Sequence, residues 1–171
     1  APFTPEATMR QKLPNKSSFK IEANMQGQKM TLSKTTFNGN RGYSEMQGQR
    51  VEFDEKQLDE NKKVKGIFEE LYFKAEELEL ISINSVNYQD AYKVKVTIDG
   101  KESHRYYSVE SGLLLSTEDT DDNNNVVTTN YGDYQSVQNI MLPFYMELPA
   151  QKLEFKTTSV EINKEIKDSS F

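Results

Sequence analysis

Hydrophobic and polar positions alternate along most of this chain, in runs short enough to be strands. In FKIEANMQG, Phe19, Ile21, Ala23 and Met25 fall on one side and Lys20, Glu22, Asn24 and Gln26 on the other. That period of two marks a half-buried strand. QKMTLSKTTFNGN repeats the pattern with Met30 and Leu32 and ends at the turn Asn38-Gly39-Asn40. GYSEMQGQRVEF follows, with Gly48 as a bulge or turn. At Asp54 the texture changes to DEKQLDENKKVKGIFEELYFKAEEL, rich in helix formers and free of proline. Asp54 reads as an N-cap, and Glu55 and Asp59 suit the positive end of a helix dipole. Ile67 with Leu71, and Phe68 with Tyr72, stand four apart and form an apolar stripe, with Gly66 a place where the helix can break. The segment predicts about 15 to 20 helical residues.

From Leu78 the strands return, and turns separate them. LELISINSVN precedes DAYKVKVTI, where Tyr92, Val94, Val96 and Ile98 alternate with Lys93, Lys95 and Thr97. Asp99-Gly100 is a two-residue hairpin signal, Glu110-Ser111-Gly112 a second turn, DDNNN a polar loop tip and Gln138-Asn139 a further turn. KLEFKTTSVEIN closes the set. Short strands joined by hairpin turns predict an antiparallel meander. IMLPFYMEL carries apolar residues on both alternating sets, and Pro143, lacking an N–H, belongs at an edge, a bulge or a strand start.

The 171 residues are enough for one domain with a core, and they read as a lead-in segment over 1–18, containing Pro2, Pro5 and Pro14, followed by a single domain over 19–171. The start APFTPEATMRQ reads as an excised domain or a processed chain, with any signal peptide already removed. Hydrophobic residues make up only 35% and charged residues 28%, a balance suited to a thin architecture such as one curved sheet. A net charge of −6 sets the chain against phosphate backbones, so nucleic acid is not an expected partner. With no cysteine, disulfides and thiol chemistry are excluded. No stretch approaches the roughly 18 apolar residues of a membrane span.

Candidate chemistry is sparse. His104 is the only histidine and reads as a surface or rim residue. Asp119, Asp121 and Asn123 have the opening spacing of a calcium loop, but Asn124 stands where that loop needs glycine and Asn130 where it needs glutamate. Glu69-Glu70 and Glu76-Glu77 read as solvated helix faces. No phosphate-cradling or nucleophile-elbow motif occurs, so no catalytic site, metal or cofactor is expected. The apolar set of methionines and phenylalanines serves a core between sheet and helix on the plain reading. On the functional reading, part of it lines a cleft, since methionine adapts to varied apolar shapes.

SVNYQDAYKVKVT, RYYSVESGLLLSTE and YGDYQSVQNIMLPFYMEL resemble, in order and spacing, the second half of bacterial outer-membrane lipoprotein-sorting domains of the LolA/LolB-like group. The matching elements are Asp90 to Val94, Tyr106 to Leu115, Asp133 to Val137 and Pro143-Phe144, with MQGQRVEF a weaker match in the first half. A closer likeness is to accessory domains of envelope proteins in Bacteroidetes-type bacteria, some attached to insulinase/pitrilysin-type zinc peptidases; the chain itself has no His-x-x-Glu-His motif. The resemblance implies a mainly β (α+β) fold: a strongly curved antiparallel sheet, an unclosed half-barrel wrapping one or two helices. It implies a periplasmic or outer-membrane-associated location and a non-catalytic role in binding a lipid, acyl chain or lipoprotein. The cavity-lining residues expected on this reading are Met25, Met30, Leu32, Met46, Phe68, Leu71 and Tyr72. The alternative is an interaction domain with a filled core, accessory to an upstream zinc peptidase or another envelope protein.

Overall fold

Alternation becomes strand throughout the computed structural model, which describes residues 4–25, 27–121 and 123–171. The chain divides into two compact units, Ala1–Tyr72 with Glu165–Phe171, and Phe73–Lys164.

The first unit holds a five-stranded antiparallel sheet in sequence order: β1 (Glu6–Lys12), β2 (Lys16–Met25), β3 (Gln28–Phe37), β4 (Gly42–Met46) and β5 (Gln49–Glu52). Tight turns set its register. Gln47 and Gly48 both have positive φ, 51° and 81°, the conformation a two-residue hairpin needs. Between β3 and β4, the Asn38 Oδ1 accepts from the backbone N–H groups of Asn40 and Arg41 at 3.0 and 2.9 Å. Gly42 is glycine for space: an added Cβ would sit 2.3 Å from the Phe53 ring and 2.8 Å from the Thr36 carbonyl oxygen. Glu6–Lys12, inside the segment read as a lead-in, pairs with β2 along its whole length.

The sheet is followed by α1 (Glu55–Lys63). Its N-cap is Asp54, as expected, in a reciprocal box: the Gln57 backbone N–H donates to Asp54 Oδ1 at 2.8 Å, and the Asp54 backbone N–H donates to Gln57 Oε1 at 3.0 Å. The expected length is corrected. Only nine residues are helical, none of them buried, and the chain leaves the helix at Val64 before Gly66 at φ +95°. With no buried stripe over 55–63, propensity alone sustains little more than two turns. Glu69–Tyr72 and Ala75–Glu77 form only short 3-10 turns.

The last residues return to this unit. The Asp168 carboxylate lies 2.8 Å from Lys12 Nζ and 2.9 Å from Lys16 Nζ, and the Thr36 hydroxyl donates to the Phe171 carbonyl at 3.3 Å.

The second unit is the predicted meander: β6 (Leu78–Val86), β7 (Gln89–Ile98), β8 (Lys101–Ser108), β9 (Leu114–Thr120), β10 (Val126–Val137), β11 (Ile140–Leu148) and β12 (Leu153–Lys156), each antiparallel to its neighbours in sequence order. Asp99 with Gly100 and Gln138 with Asn139 all have positive φ, as two-residue hairpin turns require. Pro143 lies where β11 is locally an edge, because the β11–β12 ladder runs only from Tyr145 to Leu148.

The fold is therefore mainly β, as expected. The expectation of one strongly curved sheet, a half-barrel wrapping one or two helices, is corrected: the described strands form two open antiparallel sheets of five and seven strands, neither closed nor strongly curled. The physical reason is the span from Phe53 to Glu77, where charge density and Gly66 leave one short helix and irregular chain in place of a continuing strand.

Two outcomes test this description. The hydrogen bonds from Lys12 and then Lys16 hold the Asp168 carboxyl down at about 2, below its ordinary 3.8. Its stabilising contribution is present above the ordinary value and is lost as pH falls from about 4 towards 2. Wild type is expected to lose more stability across that window than Asp168→Asn, read from urea midpoints; equal losses would remove the carboxylate from the account. Gly42→Ala is expected to cost about 1–3 kcal/mol by overpacking against Phe53, read by chemical denaturation.

Candidate functional site

In an antiparallel pair, directly opposed residues share a face. In the first sheet Met9 opposes Phe19 and Ala7 opposes Ile21. Ala23 opposes Met30 and Met25 opposes Gln28. Ser33 opposes Met46, and Ser44 opposes Val51. One face thus gathers Met9, Phe19, Ile21, Met25, Met30, Met46 and Val51. The opposite face carries charge: Lys29 binds Glu6 at 2.9 Å, Lys20 binds Glu22 at 2.8 Å, and Arg50 binds Glu52 at 2.6 Å while its guanidinium lies 3.6 Å above the Tyr43 ring. The bond from Lys20 holds the Glu22 carboxyl below its ordinary value.

Of the seven residues expected to line a cavity, Met25, Met30 and Met46 share the apolar face, and they are 48, 49 and 67% exposed. Leu32 does not follow the alternation. The register shifts between Ile21 and Glu22, so that Ser33 and Thr31 oppose them and Leu32 is the extra residue of a bulge. Phe68, Leu71 and Tyr72 lie outside the sheet, in and beside the 3-10 turn at Glu69–Tyr72; Leu71 is 77% exposed.

The second sheet is also two-faced. On one face Leu80 opposes Val94, Ile83 opposes Tyr92, and Met146 opposes both Tyr131 and Phe155. Arg105 lies on this face between Val94 and Thr117 and is buried; its guanidinium donates to Asp119 Oδ1 at 3.0 Å and to the His104 carbonyl at 3.2 Å. A buried guanidinium is tolerable only because it is paired and hydrogen-bonded. The other face carries a polar row that crosses six strands: Lys93, Tyr106, Ser116, Asn130, Glu147 and Glu154 oppose one another in turn. Along it the Ser116 hydroxyl donates to Asn130 Oδ1 at 3.0 Å, and Asn130 Nδ2 donates to Glu147 at 3.0 Å. One row over, His104 is half-buried with Nδ1 3.8 Å from Glu118, whose carboxylate accepts the Tyr106 hydroxyl at 2.8 Å. Burial pushes the Tyr106 phenol up.

The Asp121 tip acts as a turn cap. Its carboxylate accepts from the backbone N–H groups of Asn123 and Asn125, both at 2.8 Å, which holds it below its ordinary value, the Asn125 bond first. Asp119 is the partner of Arg105. Among the described residues no group of three metal-ligating side chains comes together, and no helix is long and apolar enough to cross a membrane.

No family model matches the sequence, and no curated protein matches it. Among solved structures, the chain is similar to one described as an outer membrane lipoprotein-sorting protein domain from Vibrio parahaemolyticus, with a TM-score of 0.49, 9% identity, and 94% of this chain and 80% of that one covered. It is similar to a DUF1329 family protein from Desulfovibrio piger, with a TM-score of 0.47, 11% identity, and 93% and 79% covered. A LolA superfamily protein from Nitrosomonas europaea gives a TM-score of 0.43, 13% identity, and 90% and 83% covered. None of the three is described as a peptidase or comes from a Bacteroidetes-type bacterium. At these scores and identities the likeness assigns neither family membership nor function.

Sequence reasoning left Arg105 without a role and did not find the polar row. The run Tyr92, Val94, Val96 was legible as an apolar face, but only the β7–β8 register puts Arg105 on it. Replacement tests what holds Arg105 there. Arg105→Met keeps the apolar stem and leaves behind the half-exposed Asp119 and the His104 carbonyl, so a cost within about 1.5 kcal/mol is expected. Arg105→Ala empties the position and is expected to cost about 2 kcal/mol or more. A urea-denaturation series that reverses this order would show that the guanidinium, not the stem, holds the site.

Proposed function

We propose that this chain is a non-catalytic binding domain of the bacterial cell envelope, periplasmic or outer-membrane-associated, that holds a lipid, acyl chain or lipoprotein segment. The observation that carries the reading is the shared face of Met9, Met25, Met30 and Met46, all exposed. A soluble sheet face of that kind forgoes roughly 25 cal/mol for each Å² of apolar surface left in water, and an apolar ligand recovers it. Methionine suits this role because an unbranched thioether chain adapts to acyl chains of differing length and kink. The charged opposite face, laced with ion pairs, suits contact with water. The order of DAYKV, YYSVESGLLL and the Pro143-Phe144 strand supports the same reading through its resemblance to lipoprotein-sorting domains. On this proposal Met25, Met30 and Met46 contact the ligand directly, and Leu32, Phe68, Leu71 and Tyr72 line its margins.

Native mass spectrometry of protein purified gently from a bacterial host, followed by organic extraction, tests it. The expected result is a stoichiometric lipid adduct that is lost in Met30→Trp and in Phe68→Glu while circular dichroism stays native. A clean apo mass, with no uptake of added palmitate or lipopeptide, would overturn the proposal.

A further inference from the structure

The second unit contains a cleft of about 290 Å³ at the middle of β10 and the later half of β11, beside the tips of the β6–β7 and β8–β9 hairpins. Two tyrosine rings, Tyr134 and Tyr145, line it together with the amides of Asn87, Gln89 and Asn130, the carboxylates of Asp133 and Glu147, and the β10 chain at Tyr131 and Gly132. No Lys, Arg or His is among its lining residues.

That composition discriminates between ligand classes. An anion would meet two carboxylates and no compensating charge. An apolar ligand would cover the exposed Asn87 and Gln89 amides and take them out of water with no hydrogen bond in return. An organic cation would use the carboxylates and ring faces but leave the Asn87 and Gln89 N–H₂ donors and the Ser111 hydroxyl unanswered. A neutral ring bearing vicinal hydroxyls answers all of them. Each hydroxyl both donates and accepts, adjacent pairs match an amide or a carboxylate, and the C–H face of the ring lies on an aromatic one. We propose that this cleft binds a neutral saccharide ring, at a site separate from the methionine face and independent of the function proposed for it.

The cleft is built in advance of any ligand. Asn130 is fixed at both ends, accepting from Ser116 and donating to Glu147. The Tyr134 hydroxyl donates to the Leu114 carbonyl at 2.6 Å, which fixes that ring. Gly132 opposes Tyr145 in the register, and a Cβ added there would lie 3.7 Å from Tyr145 Cδ1, so the ring rests over the glycine. Asp133 holds φ at +48° in the middle of β10, where the β10–β11 ladder skips it; backbone held in that region inside a strand re-aims a side chain. Burial, with the charges of Glu147 and Glu154 after it, pushes the Tyr145 phenol up, consistent with a cleft of negative potential.

The same ring chemistry is carried by a free oligosaccharide and by the sugar head of a glycolipid. Saturation-transfer NMR and tyrosine emission, readable because the chain has no tryptophan, report on both. Methyl glycosides of common hexoses and N-acetylhexosamines, their disaccharides and octyl glucoside are titrated into the intact chain, with choline and putrescine as cationic comparators. Saturable binding of at least one methyl glycoside or disaccharide is expected, weakened about tenfold by Tyr145→Leu and by Gln89→Ala. Gln89 is exposed at a hairpin end, so its removal leaves the fold intact if Tyr145→Leu does not. Binding of octyl glucoside without any methyl glycoside would show a response to the alkyl chain and overturn the proposal, as would a preference for choline or putrescine, no saturable response to any sugar, or sugar binding unmoved by both substitutions. Met30→Trp, which reads the methionine face, is expected to leave sugar binding unchanged.

Discussion

Everything that distinguishes the faces of this protein depends on strand register. A strand presents alternate residues to opposite sides, so a slip of one position would exchange the methionine face of the first sheet for its charged one. The register is fixed by tight turns: Gln47-Gly48, Asp99-Gly100 and Gln138-Asn139 all adopt positive φ, and Asn38 closes the β3–β4 turn through its side chain. Both central residues of such a turn must have positive φ, so turn and register are specified together. The two sheets use one device to sort apolar from polar residues, but in the second sheet the sorting also aligns six polar residues across six strands and sets Arg105 between Val94 and Thr117.

The strands and their order were legible because each is short, alternating and bounded by residues with a conformational reason to turn. Asp99-Gly100 and Pro143 are read correctly from chemistry alone, one from its tolerance of positive φ and the other from its missing N–H. The helical region was misjudged because propensity and local stripes overstate a helix that has nothing to bury: α1 stops at Lys63, and Ile67 and Leu71 remain exposed. The division into two sheets was invisible because it rests on β5 and β6, neighbours in sequence, not pairing across the span between them, and a missing pairing leaves no local trace.

The candidate site was legible to the same degree. Met25, Met30 and Met46 come to one face because each follows the alternation of its own strand. Leu32 departs because a bulge adds one residue to β3, and a bulge between polar and threonine-rich stretches has no distinctive composition. The tyrosine-lined cleft draws on four strands and two hairpin tips, so no single stretch announces it. His104 looked isolated because sequence could not supply Glu118, its neighbour across the ladder.

The return of Glu165–Phe171 to the first unit makes that unit discontinuous in sequence, while the second is one unbroken segment. The partners Lys12 and Asp168 are 156 positions apart, and Thr36 and Phe171 are 135 apart. Loop closure over such separations is the slow part of assembly. During synthesis the β6–β12 meander can therefore complete every ladder as it emerges. The sheet made first must wait, with its methionine face formed and one of its clasps missing, until Glu165–Phe171 has been made. For these two units the order of synthesis is thus the reverse of the order of completion, and the apolar surface proposed to take a ligand belongs to the later one to be completed.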